Sequence, residues 1–139
     1  MKTKFIALTS AAMFAAFFTG CQTPPGPYAP QDTTRYTVEN TDKFVLMDQP
    51  TQVSVTCTGL QESINPDGRL EIVANVKNRE GRRIQVQINC TFKNAQGFST
   101  GDETPYRTLI LGEYETQALH FVSMNNLAHN YTIHVRQAR

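Results

Sequence analysis

The chain has 139 residues, with 13 Lys and Arg against 12 Asp and Glu and a formal charge of +1. Nothing in that balance clusters enough positive charge to neutralise a phosphate backbone, which excludes nucleic acid as the expected partner. The length suits one domain of ordinary size and is too short for two.

Met1-Lys2-Thr3-Lys4 is a short cationic head, followed by an apolar run over residues 5–18. A run this short cannot span a hydrocarbon core of roughly 30 Å, which takes about 20 apolar residues, so residues 1–20 read as a removable export signal. Phe18-Thr19-Gly20-Cys21 closes it as a lipobox, with Phe18 in place of the more usual Leu. The small Thr19 and Gly20 admit the chain to a peptidase groove, and Cys21 offers the thiol that takes a diacylglyceryl group. Removal of residues 1–20 leaves 119 and takes away Lys2 and Lys4, so 11 basic residues face 12 acidic ones and the charge becomes −1. Gln22 lacks the Asp that holds lipoproteins at the inner membrane of enteric bacteria, and the expected address is the outer membrane, facing the periplasm.

Residues 21–43 are rich in proline and small polar residues and have no apolar period. They read as a tether, because proline favours extended geometry at about 3.1 Å per residue. Weak pairing with the domain is expected near Tyr36 and Val38. From Phe44 to the C-terminus, the expected folded unit of residues 44–139, the dominant period is two. Residues 44–47 are a short apolar run stopped by Asp48-Gln49-Pro50. Val53, Val55 and Cys57 alternate with polar neighbours. Asn65-Pro66-Asp67-Gly68 is a turn in which Pro presets φ and Gly accepts a positive φ. Leu70, Ile72, Ala74 and Val76 form the next inward row. The clearest strand covers residues 83–93, with Ile84, Val86, Ile88, Cys90 and Phe92 facing inward, and Asn94-Ala95-Gln96-Gly97 ends it. A polar stretch leads to Leu109 and Leu111, then to a Gly112-Glu113 turn, then to Leu119 and Phe121. Residues 124–130 are the one place for a helical turn or short loop, and Tyr131, Ile133 and Val135 make the last strand.

Six or seven short strands with one polar face each predict an all-β fold, an antiparallel immunoglobulin-like β-sandwich. Cys57 and Cys90 both fall on inward rows of a chain addressed to an oxidising compartment, so a disulfide between them is chemically permitted. It would close a loop of about 33 residues and, in the chain-entropy model, contribute roughly 4 kcal/mol.

The stretch from Phe44 to Arg136 resembles the YcfL family of small Gram-negative periplasmic lipoproteins. The resemblance is carried by Gly68-Arg69-Leu70-Glu71-Ile72-Val73-Ala74-Asn75-Val76-Lys77-Asn78, by Ile88-Asn89-Cys90-Thr91-Phe92-Lys93-Asn94 closing at Gly97, by Leu109-Ile110-Leu111-Gly112-Glu113, and by the terminal Ala128-His129-Asn130-Tyr131-Thr132-Ile133-His134-Val135-Arg136. The family usually shows aromatics at the positions of Ile88 and Cys90, and Asp at that of Asn94. The resemblance implies a lipid-anchored immunoglobulin-like sandwich and transfers no catalytic residue.

The chemistry legible in the residues is sparse. If the strands around Leu119 and Ile133 form a hairpin, His120 lies opposite His134 on the outer face, with Met124 and His129 in the loop between them. That would be a copper-like site of nitrogen and thioether ligands, although an exposed polar pair is the plainer reading, and no metal or other cofactor is expected. The acidic pairs Asp102-Glu103 and Glu113 with Glu115 are expected to be solvated, as is the basic run Arg79-Glu80-Gly81-Arg82-Arg83. There is no phosphate loop and no nucleophile elbow, and alternation buries both cysteines, so no enzyme is expected. What remains is a binding protein of the cell envelope, tied to the membrane through Cys21 and docking another envelope protein through an edge strand or through residues 97–106. Its alternatives are a secretion-apparatus lipoprotein and a metal-handling one.

Overall fold

The computed structural model describes residues 26–30 and 42–138. Cys21, the export signal, Tyr36 and Val38 lie outside the described residues.

Eight strands and one short helix follow one another among the described residues: β1 (Phe44–Leu46), α1 (Gln49–Ser54), β2 (Val55–Ile64), β3 (Leu70–Asn78), β4 (Ile84–Lys93), β5 (Ser99–Glu103), β6 (Arg107–Leu111), β7 (Thr116–Val122) and β8 (Asn130–Gln137). They form two packed sheets. The larger runs β1-β8-β4-β5, with β6 also on β4; the smaller runs β2-β3-β7. β6 and β5 share one side of β4 in succession, pairing with residues 84–88 and 91–93. The fold is all-β, as the alternation predicts.

Every inward row named from the sequence in β3, β4, β6, β7 and β8 is buried. β4 alone supplies five side chains with no exposed surface, Ile84, Val86, Ile88, Cys90 and Phe92. Full burial of an aliphatic or aromatic side chain contributes roughly 1.5–3 kcal/mol, which makes β4 the spine of the core. Both four-residue turns form as read. Gly68 and Gly97 take φ of 77° and 87°, and Asn65 and Asn94 each accept two backbone N–H bonds through the side-chain oxygen. The amide of Asn94 therefore performs the accepting role that a carboxylate would fill.

Three expectations are corrected. β1 pairs with β8 in parallel, Phe44 opposite Ile133 and Leu46 opposite Val135, so the larger sheet is mixed. Residues 49–54 are a helical turn, because Asp48 caps it by accepting from the Thr51 N–H at 3.0 Å and Pro50 occupies the first turn, where its missing donor costs nothing. Of the two forms expected at residues 124–130, residues 124–129 take the short loop. Part of the expected tether is docked: Tyr28 forms a parallel bridge with Ile84, its N–H donating to the Arg83 carbonyl at 3.0 Å while its own carbonyl accepts from Gln85 at 3.2 Å. Tyr28 takes the place beside β4 that β8 leaves vacant beyond Gln137, the residue paired with Val86.

Candidate functional site

The sequence places its chemistry on the outer face of the larger sheet and in the turns at the ends of the strands. On the outer face, register sets Asn89 opposite His134 and Gln87 opposite Arg136. Asn89, despite facing outward, is buried. Its amide nitrogen donates to Glu103, and its oxygen lies 3.2 Å from Nδ1 of His134. Because the amide oxygen can only accept, that chain of bonds calls for a proton on Nδ1 of His134. Burial lowers the His134 pKa, with Glu103 raising it and Lys93 lowering it as smaller influences. Arg136 donates from Nε to Gln87 at 3.0 Å and lays its guanidinium 3.7 Å from the centre of the Tyr106 ring, whose hydroxyl reaches Met47 Sδ at 3.1 Å. Beside this network lies a groove of about 490 Å³ lined by residues that include Asp42, Lys93, Asn130, Thr132 and His134. The polar groups of this face are bonded to one another, which stiffens the sheet.

The histidines do not come together. His120 pairs across from Val73 in the smaller sheet, and His134 across from Asn89 in the larger one, so they sit on opposite outer faces of the sandwich. The expected hairpin fails because β7 and β8 belong to different sheets. His120 is exposed and approaches Glu71 at 3.7 Å, and Met124 lies on an exposed turn. Among the described residues no group of three or more His, Cys, Asp or Glu is arranged to hold a metal ion.

Cys57 and Cys90 are both thiols in the structure. Cys57 stands where the register of β2 against β3 shifts, and its sulfur turns toward the Gly59 carbonyl at 3.4 Å. Cys90 is buried on β4, and burial, reinforced by the Asp102 carboxylate, pushes its thiol up to about 12. A thiol held that far from ionisation is a poor nucleophile at neutral pH. Asp102 is itself a correction to the solvated reading. Alternation along β5 turns it inward to accept from the Met124 N–H, while its neighbour Glu103 reaches the outer face. Glu80 is likewise engaged, accepting from Ser54 Oγ and from Arg82 Nε.

The end of the sandwich built from the turns at residues 65–68, 94–98 and 123–129 has a different character. Ser123 binds this end to β3, its N–H donating to the Leu70 carbonyl at 2.9 Å and its hydroxyl accepting from the Leu70 N–H at 2.9 Å. His129 donates its N–H to the Lys93 carbonyl at 2.9 Å, which seats the 123–129 segment against the end of β4. These anchored turns carry Phe98, Met124 and Leu127, exposed at 71%, 80% and 58%, and Ile64 at the adjoining end of β2 is 64% exposed. A shallow groove of about 410 Å³ lies between the two later turns, lined by Asn94, Gln96, Thr100, Asn126, Leu127 and His129 among others. Of the four exposed apolar side chains, Leu127 lines this groove, among mainly polar neighbours. Only Phe98 falls within the 97–106 segment named from the sequence. The rest was hidden because period-two counting assigns faces to strands and says nothing of which turns share an end.

These features define a two-sheet all-β domain with a hydrogen-bonded polar face on its larger sheet and exposed apolar side chains at one loop end. The chain belongs to the DUF1425 family of proteins of unknown function, whose family model matches residues 43–137. Two solved structures are similar in fold. The crystal structure of Campylobacter jejuni cj0090 aligns with a TM-score of 0.58 at 17% identity, covering 70% of this chain and 100% of that one. A DUF1425 family member from Shewanella sp. pv-4 aligns with a TM-score of 0.56 at 19% identity, covering 61% of this chain and 79% of that one. No curated protein is similar enough to match.

Proposed function

We propose that this protein is a YcfL-like lipoprotein, anchored to the periplasmic face of the outer membrane through Cys21, whose immunoglobulin-like sandwich docks another envelope protein. Binding, and not catalysis, is the activity assigned. The single observation that carries the docking reading is the loop end, where Ile64, Phe98, Met124 and Leu127 stand in solvent on turns tied to the core. The core of a protein interface favours aromatic residues and Met, and this end presents both. The lipid reading is supported by the lipobox ending at Cys21. A photo-reactive residue placed at Phe98 or Leu127 in intact cells is expected to give a discrete adduct with an envelope protein, and the same probe at Thr116, exposed at the far end of β7, to give none. Equal labelling at all three positions, or no adduct at the loop end, would remove the docking assignment. Adducts made only with subunits of a secretion complex would reassign the protein to that apparatus.

A further inference from the structure

The docked residues 26–30 decide which end of the domain an anchor on Cys21 could reach. Tyr28 is bridged to β4 at Ile84, the Ala29 carbonyl accepts from Arg82 at 2.7 Å, the Arg82 guanidinium lies 5.3 Å from the centre of the Tyr28 ring, and Pro30 is buried. Two backbone bonds, one charge-assisted bond and a cation–π contact hold this short segment to the start of β4. From Cys21 to Tyr28 is seven residues, which span at most about 25 Å even when fully extended. The ten residues of β4 carry the chain roughly 33 Å away from that point, to the turn at residues 94–98.

The end next to the docked segment also has the composition of a membrane-interface surface. Gly81 and Arg82 lie between two tyrosines: Tyr28 under the Arg82 guanidinium, and Tyr114 with its hydroxyl against Gly81, where an added Cβ would stand 3.0 Å away. Tyr28 and Tyr114 are both exposed. Amphipathic aromatic rings beside Arg suit the headgroup region, where one end of the ring meets hydrocarbon and the other meets water. Arg79, Arg82 and Arg83 are matched at this end by Glu80, Glu113 and Glu115, so attraction to anionic lipid is not what would orient the domain. The short arm and the aromatic pair would.

We propose that the Tyr28–Arg82–Tyr114 surface rests on the lipid leaflet and that the apolar loop end points away from it into the periplasm. The inference rests on the acylation of Cys21 advanced above. The test uses the acylated protein, labelled with nitrogen-15, in nanodiscs of phosphatidylethanolamine and phosphatidylglycerol carrying a small fraction of lipid with a gadolinium-chelating headgroup. The amides of Gly81, Arg82 and Tyr114 are expected to broaden severalfold more than those of Gly68 and Gly97, with little change on raising the salt. Replacing both tyrosines (Tyr28→Ser with Tyr114→Ser) is expected to reduce the contrast while the protein stays on the disc. Uniform broadening, or stronger broadening at Gly97, in a protein whose mass shows acylated Cys21 overturns the orientation and leaves the anchor standing. A mass that shows unmodified Cys21 removes both.

Discussion

Replacement of Asn78 offers the sharpest test of how the sandwich is closed at the end nearest the docked segment. Asn78 is fully buried at the last position of β3, and its amide nitrogen donates to the carbonyls of Arg82 and Gly112, both at 2.7 Å. Its side-chain oxygen accepts from the Glu80 N–H at 2.8 Å. Two carbonyls on one side and an N–H on the other allow a single placement of the amide, which ties the 79–83 turn to the Gly112 turn across the sandwich. Asn78→Ala removes three bonds and strands three backbone groups, each costing about 1–3 kcal/mol if nothing replaces the partner. With water satisfying part of the loss, the expected destabilisation is about 3–4 kcal/mol, a large share of the roughly 5–15 kcal/mol that holds an ordinary domain. In urea unfolding with a slope of about 1.5 kcal/mol/M, the midpoint should fall by roughly 2–2.5 M with the slope unchanged. Asn78→Asp keeps the shape and the Glu80 bond but sets a carboxylate against two carbonyl oxygens, so it should be at least as damaging at neutral pH. That raises the folded-state pKa of the new carboxyl above its unfolded value, and the Asp variant should regain stability as pH falls. A loss below about 1 kcal/mol for Asn78→Ala, or an Asp variant more stable than the Ala variant at pH 7, would refute the reasoning.

Three further outcomes follow from the same structure. Asp102→Ala should free the 123–129 segment from β5, costing about 1–3 kcal/mol and speeding hydrogen exchange at Met124 well beyond that at Ile133; unchanged exchange at Met124 would contradict the clamp. Burial depresses the folded pKa of His134 below its unfolded value, so the unfolded chain takes up the proton first and stability should decline as pH drops below about 6.5; His134→Gln should flatten that part of a chemical-denaturation pH profile. Iodoacetamide at pH 8 should modify Cys57 in the folded protein while leaving Cys90 untouched until denaturant is added, read by peptide mass; rapid labelling of Cys90 in the native state would show that β5 and β6 open readily.

The faces of the strands were readable because burial on one side of a sheet imposes a period of two, and Ile84 to Phe92 or Leu70 to Val76 display that period without interruption. The neighbours were not readable. Period two marks which way His120 and His134 point and carries nothing about whether their strands share a sheet, and the loop of seven residues after β7 was long enough to cross from one layer to the other. The helical turn at residues 49–54 did leave a signal, Asp48 followed by Pro50 and Thr51, which the apolar alternation of Val53, Val55 and Cys57 masked. Asn78 and Asn89 look like surface amides in the sequence. Each is buried because a turn or a neighbouring strand folds over it, and that depends on contacts 34 and 14 residues away. Tyr28 was hidden for the opposite reason: a lone aromatic among prolines has no period, and its seat exists only once β8 has stopped short of the start of β4.

The place of β8 in the larger sheet governs when the molecule can become itself. Among the described residues β8 sits between β1 and the spine, so Phe44–Leu46 has no bonded strand and Ile84–Lys93 lacks one side until Asn130–Gln137 is in place. Pairings between strands this far apart in sequence are entropically late and slow. A chain lacking Asn130–Gln137 would therefore keep the β2-β3-β7 sheet and the β4-β5-β6 pairings, while β1 lost its partner and one side of β4 stood open.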